Sequence, residues 1–351
     1  MSHVDVAIAG GGIIGLATAL ELAAAGRKVT VFDKGETMSE ASRAAAGMLA
    51  GNDPENPAEL RSLAHLSLAL YPEFLSSVER LSGVRVPIRT TRTLQGVKHS
   101  APGTHILAEA EVQAFAPGAD TAGWHFFLLE EQSFDAWDLA ECLPAAACAA
   151  GVDLRDGTPV VSIREHKNGV HLDTTAGAFS ANAFLNAAGA WSPQLDPSLP
   201  VVPRKGHMLT ADLPGPVQMD CVLRTGNVYI VPRGLGRYTI GPTLEDAGFD
   251  KEIYADRIHG LFQKAIDLWP VLRDAHIAET WTGLRPGSDD GLPILDRTGD
   301  RRWVATGHFK NGIMLAPGTA RVVSQWIQGA NPSVDLSHFR CARFAAASVL
   351  S

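Results

Sequence analysis

The chain has 351 residues, 46% of them hydrophobic and 19% charged, with a net charge of −8 and an isoelectric point near 5.8. That length suggests about two domains with an ample core; the acidic balance argues against a nucleic-acid partner, and the absence of a lysine-arginine run argues against a membrane surface. Four cysteines (Cys142, Cys148, Cys221, Cys341) without C-x-x-C spacing point to a reducing, cytoplasmic setting, and twelve scattered histidines with no ligand cluster point to no metal.

The apolar run 4–9 reads as a buried strand. Gly10, Gly12 and Gly15 follow in G-x-G-x-x-G spacing ahead of a helix over 16–25, and Asp33 closes a second strand over 28–32. Gly10 permits the tight turn, Gly12 lets a pyrophosphate approach the backbone, and Gly15 lets helix and strand pack closely. Asp33 suits a ribose hydroxyl pair, and the helix N-terminus suits the phosphates. Strand, triplet, helix, second strand and acid within thirty-odd residues make a dinucleotide clamp, which by itself does not separate FAD from NAD. The apolar start is neither a signal peptide nor a membrane span, because it lacks a basic leader and is rich in glycine.

Residues 42–49 form a small-residue segment suited to close backbone contact with a ligand. The leucine spacing predicts a helix from Pro57 to about Leu81, and residues 84–130 look strand-rich and irregular. A helix is expected over about 135–150, with Ser133 near its cap and Pro144 kinking or breaking it. Strands are expected at 160–163, 170–173 and 183–187, and an antiparallel pattern over 203–254 with strands at 228–231 and 237–240. A helix over 255–269 ends at Pro270; a strand at 303–305, a glycine-bearing loop over 307–312 and a helix to about Gln328 complete the chain. Such a loop ahead of a helix aims backbone N–H groups and a positive dipole end at a ligand.

Five segments, 10–15 (GGGIIG), 44–49 (AAAGML), 229–233 (YIVPR), 281–287 (WTGLRPG) and 307–313 (GHFKNGI), occur in an order that resembles the D-amino acid oxidase family of flavoenzymes. The resemblance is greatest to its glycine oxidase branch from thiamine biosynthesis. It implies an α/β fold: a Rossmann-like, glutathione-reductase-like FAD-binding domain (1–83, 133–200, 286–351) interleaved with an α+β substrate domain (84–132, 201–285) on a mixed, largely antiparallel sheet. It also implies that the clamp serves FAD. The lack of a second clamp for a nicotinamide agrees, leaving oxygen or another acceptor to take the electrons.

By the same resemblance, FAD is held by Gly10, Gly12, Ile14, Gly15, Asp33, Lys34, Ser42, Arg43, Ala45, Ala46, Gly47, Met48, Val160, Val161, Ala188, Gly189, Trp191, His308, Asn311, Gly312, Ile313 and Met314. Arg285 anchors the substrate carboxylate through two parallel hydrogen bonds, and the Tyr229 hydroxyl reaches the same group. Met48, Ala50, Asn227 and Lys310 are the weaker pocket candidates. Asn227 and Lys310 depart from the histidine and arginine that relatives often carry there. His308 is not cast as a base, since family chemistry needs none. No cysteine lies between 222 and 340, so FAD is expected to be non-covalent.

The implied activity is oxidation of glycine and similarly small amino acids, with molecular oxygen as acceptor, in a chain that can form a homo-oligomer. The alternatives are a D-amino acid oxidase or dehydrogenase, a sarcosine-type N-methyl amino acid oxidase, a nicotinamide-dependent dehydrogenase and a non-catalytic flavin-binding module.

Overall fold

A computed structural model describes residues 3–345 of the protein. The outermost ends of the expected first domain, 1–2 and 346–351, lie outside the described residues. Strand His3–Ala9 pairs in parallel with Val29–Phe32 on one side and Gly177–Asn186 on the other. Asp153–Arg155 and Arg302–Thr306 continue the parallel order, and Ile294–Arg297 adds an antiparallel edge. The alternation of the central strands decides what packs where. Val6, Ile8, Val29 and Val31 face a core shared with helices Ile13–Ala24, Arg61–Ser82, Ala136–Ala149 and Gly312–Ile327. Ala7, Ala9 and Phe32 face the hairpin Val160–His166 and Gly169–Thr174.

A second sheet of seven strands runs His276–Gly287, Val202–Asp212, Arg237–Gly241, Tyr229–Gly234, Val222–Arg224, Thr93–Val97, His125–Leu129. Its pairs are antiparallel except Val222–Arg224 with Thr93–Val97. One face buries Leu209, Leu223, Ile230 and Ile240 against helix Ala255–Leu268. The other presents Gln95, Met208, Arg224 and Tyr229 to a cavity between the two sheets. Strands of the first sheet come from 3–32, 153–186 and 294–306 and those of the second from 93–129 and 202–287, so each sheet depends on distant chain segments. The expected boundary after Arg285 falls two residues short of the end of strand His276–Gly287.

Several boundaries differ from expectation for local reasons. The first helix begins at Ile13, so Gly15 lies in its first turn. The second expected helix starts as a 3₁₀ turn, Ala58–Leu60, and then runs through Pro72. Ser133 does not cap helix Ala136–Ala149. It pairs with Thr90 Oγ1 at 2.7 Å, and the Asp135 carboxylate takes the cap by accepting the Trp137 N–H at 3.0 Å. That helix passes Pro144 unbroken, its face buried through Leu139, Leu143 and Ala147. Residues 84–130 hold a helix, Glu109–Phe115, that alternation does not suggest; Glu111 accepts the Ala108 N–H at its start.

Candidate active site

The cavity, about 320 Å³, runs from Asp33, Glu40 and Val160 at one end to Asp53, Arg224 and Arg285 at the other. At the first end the glycines do what their spacing implies. A Cβ on Gly10, at φ +106°, would stand 2.3 Å from the Ala187 carbonyl oxygen, and one on Gly15 would stand 1.9 Å from the Gly10 carbonyl oxygen. Strand, turn and helix therefore touch at distances that admit no side chain. On Gly12 the only close atom among the described residues would be Ser42 Oγ at 3.2 Å, so its open side faces the cavity. Ser42 Oγ accepts the Ile13 N–H at 2.9 Å. Asp33 accepts N–H bonds from Gly11 (2.7 Å) and Gly35 (2.9 Å), while burial pushes its carboxyl above the usual value. Each of its oxygens keeps a second lone pair for a ribose hydroxyl. Lys34 Nζ sits 3.4 Å from the Trp191 ring centre, which fixes that ring as a wall of the cavity.

The other end lies on the second sheet. Arg285 is half-buried in strand His276–Gly287, and its guanidinium lies directly over Gly206, where a Cβ would meet Nη1 at 2.2 Å. It donates to the Thr243 carbonyl at 3.3 Å and contacts the Tyr229 hydroxyl. Burial holds the guanidinium below its ordinary pKa, opposed by Tyr229, and no carboxylate neutralises it among the described residues. Burial likewise raises Tyr229, so its phenol stays protonated at neutral pH. A fixed cation beside a hydroxyl donor, both facing a cavity, has the chemistry to bind a carboxylate.

Most expected site residues line this cavity, including Ile14, Lys34, Ala45, Ala46, Gly47, Met48, Ala50, Ala188, Gly189, His308, Lys310, Asn311, Gly312 and Ile313. Five do not. Gly15 acts from behind, through packing. The Arg43 guanidinium lies over the Trp137 ring, at 4.7 Å. Val161 points outward and is 62% exposed, because it alternates with Val160. Asn227 is an exposed turn residue between two strands. Met314 is buried in the helical core, and its carbonyl accepts the Ser67 hydroxyl at 2.7 Å. Lys310 reaches the cavity but is held by Asp53 and Glu55, each at 3.2 Å.

Sequence reasoning missed Asp53, Glu55, Gln95 and Arg224 as cavity residues. The hairpin turn around Gly226 was the available signal for Arg224, since it pairs Arg224 with Tyr229 on one face.

His308 is buried, with Nε2 3.1 Å from Thr319 Oγ1. Burial pulls its imidazole from 6.5 down to about 3. The ring is therefore neutral at physiological pH and buttresses the loop. Because the unfolded chain takes up this proton first, the stabilisation is complete above about pH 6.5 and is lost as pH falls toward 3. Wild-type stability should fall more steeply below pH 6.5 than that of His308→Gln, by up to about 1.4 kcal/mol per pH unit. Equal slopes in thermal denaturation across pH 4–6.5 would show that the ring is already protonated in the fold.

Comparison with known proteins gives a consistent result. The family model described as DAO, FAD dependent oxidoreductase, matches residues 5–326. A protein of Geobacillus kaustophilus named glycine oxidase is 33% identical, over 98% of this chain and 98% of its own. The crystal structure of glycine oxidase from Geobacillus kaustophilus superposes with a TM-score of 0.91 at 31% identity, covering 98% of this chain and 99% of that one. The bifunctional protein ThiO/ThiG of Trichormus variabilis is 38% identical over 97% of this chain but only 55% of its own length, so the chain spans about half of that relative.

Proposed function

The chain belongs to the DAO family of FAD-dependent oxidoreductases, and on that premise we propose that it oxidises glycine and similarly small amino acids. The observation that carries this reading is Arg285, a cation without a carboxylate partner among the described residues, in the same cavity as the glycine clamp. The clamp fits FAD: Gly12 leaves room for the pyrophosphate, Asp33 for the ribose, and the N-terminus of helix Gly312–Ile327 borders the cavity.

Bound FAD supplies the acceptor for a hydride from the substrate Cα. Arg285 takes the substrate carboxylate by a two-point contact that sets an angle as well as a distance. Tyr229, protonated, donates to the same carboxylate. Met48 and Ala50 line the same cavity and are the candidates for limiting the substrate side chain. Glycine, oxygen and water would give glyoxylate, ammonia and hydrogen peroxide. An L-configured side chain would occupy the place of the departing hydrogen, so glycine, sarcosine and D-alanine should release peroxide and L-alanine should not. Comparable turnover of L- and D-alanine would sink this geometry.

None of the four cysteines lines the cavity. Acid precipitation should therefore release all the flavin into the supernatant; flavin retained in the pellet would refute non-covalent binding.

A further inference from the structure

The cavity that holds Arg285 carries a second group of charges, more than a pocket for glycine needs. Lys310 Nζ sits between Asp53 Oδ2 and Glu55 Oε2, 3.2 Å from each. Behind it, Arg224 Nε donates to Gln95 Oε1 at 2.5 Å, and Nη2 faces Glu131 Oε2 at 3.0 Å. Glu131 is anchored in turn by the Asn52 N–H at 2.9 Å. Three carboxylates thus surround two cations. Arg224 Nη1 and Nη2 are buried and make no hydrogen bond among the described residues, so Arg224 is matched to Glu131 by charge alone.

Strand register fixes where this wall stands relative to the substrate. Arg224 pairs with Tyr229 across the hairpin and with Gln95 on its other side. Side chains so paired share a face with Cβ atoms about 5 Å apart. A substituent on the amine or Cα of a carboxylate held by Arg285 and Tyr229 therefore has Arg224 one strand beyond Tyr229, with Asp53 and Lys310 lining the same cavity.

We propose that this wall is a charge filter, with Asp53 as its specificity-determining residue, that excludes substrates carrying a second carboxylate and admits neutral ones of the same size. A second carboxylate would meet Asp53 and Glu55, and both cations of the wall, Lys310 and Arg224, already face a carboxylate. Asp53, with 11% of its side chain exposed, acts with little solvent screening, whereas Glu55 is 57% exposed and contributes less. The proposal rests on the amino acid oxidase reading above.

Iminodiacetate and its monoamide, N-(carbamoylmethyl)glycine, match in size and differ in one charge. They are compared as substrates or, where turnover is absent, as competitive inhibitors of sarcosine oxidation. The wild-type holoenzyme should favour the amide by about tenfold or more in kcat/KM or in inhibition constant. Asp53→Asn, which leaves Lys310 with Glu55 as its one carboxylate partner among the described residues, should bring the ratio close to unity. Glu55→Gln, at a half-exposed position that does not threaten folding, should lower the ratio by a smaller factor.

Equal use of acid and amide by wild type, or a ratio unmoved in both variants, would overturn the proposal. Exclusion of both compounds would also overturn it, by showing a filter of size. Absence of any oxidation of glycine or sarcosine would instead overturn the reading beneath, and the filter with it.

Discussion

Arg285→Lys should lower kcat/KM for glycine about a hundredfold, close to 3 kcal/mol, while flavin content and thermal stability change little. The guanidinium is held flat over Gly206 by that residue's missing side chain and by the Thr243 carbonyl, and it opens toward the cavity beside Tyr229. An ammonium at this position offers a point contact in place of two parallel ones and lets the substrate swing about it. Gly206→Ala tests the same arrangement without removing charge. Its Cβ would stand 2.2 Å from Nη1, so the guanidinium must move, and the Michaelis constant should rise with flavin still bound. Near-normal steady-state kinetics in both variants would remove Arg285 from the substrate site. Joint loss of fold and flavin would make the residue structural.

Gly12→Val should weaken FAD binding at least tenfold while leaving a folded apoprotein. Gly12 has φ −73°, which valine tolerates, and among the described residues an added Cβ meets only Ser42 Oγ, at 3.2 Å. The branched side chain then fills the approach that a pyrophosphate needs. Gly15→Ala is the contrast. Its Cβ would lie 1.9 Å from the Gly10 carbonyl oxygen, so strand and helix must separate, and folding should fail together with flavin binding. Flavin titration by fluorescence, beside circular dichroism of both variants, distinguishes the two roles. Normal flavin content in Gly12→Val would show that the clamp is misassigned.

Local signals were legible because short-range sterics produce them. Gly10, Gly12 and Gly15 act within a single turn, and the alternation of strand His3–Ala9 needs no distant partner to be recognised. The tail loop and helix Gly312–Ile327 were readable for the same reason. Strand His276–Gly287 was not. It ends in Pro286 and Gly287, residue types that speak against a strand, and they are tolerated because it forms the edge of its sheet. Val161 and Arg43 fell on the wrong side of the wall, since which face a residue presents depends on what packs against it.

By itself the amino-acid sequence determined the dinucleotide-clamp pattern and the family resemblance, which rest on residue types at fixed local spacing, and through that resemblance it nominated Arg285 with Tyr229 as the carboxylate pair proposed above. The tertiary structure alone decided the character of the charged wall. Asp53, Gln95, Glu131, Arg224 and Lys310 come from five separate stretches and meet only when the second sheet closes over the first. Their significance is electrostatic, and charges neutralise or exclude according to distances that no single stretch of chain encodes.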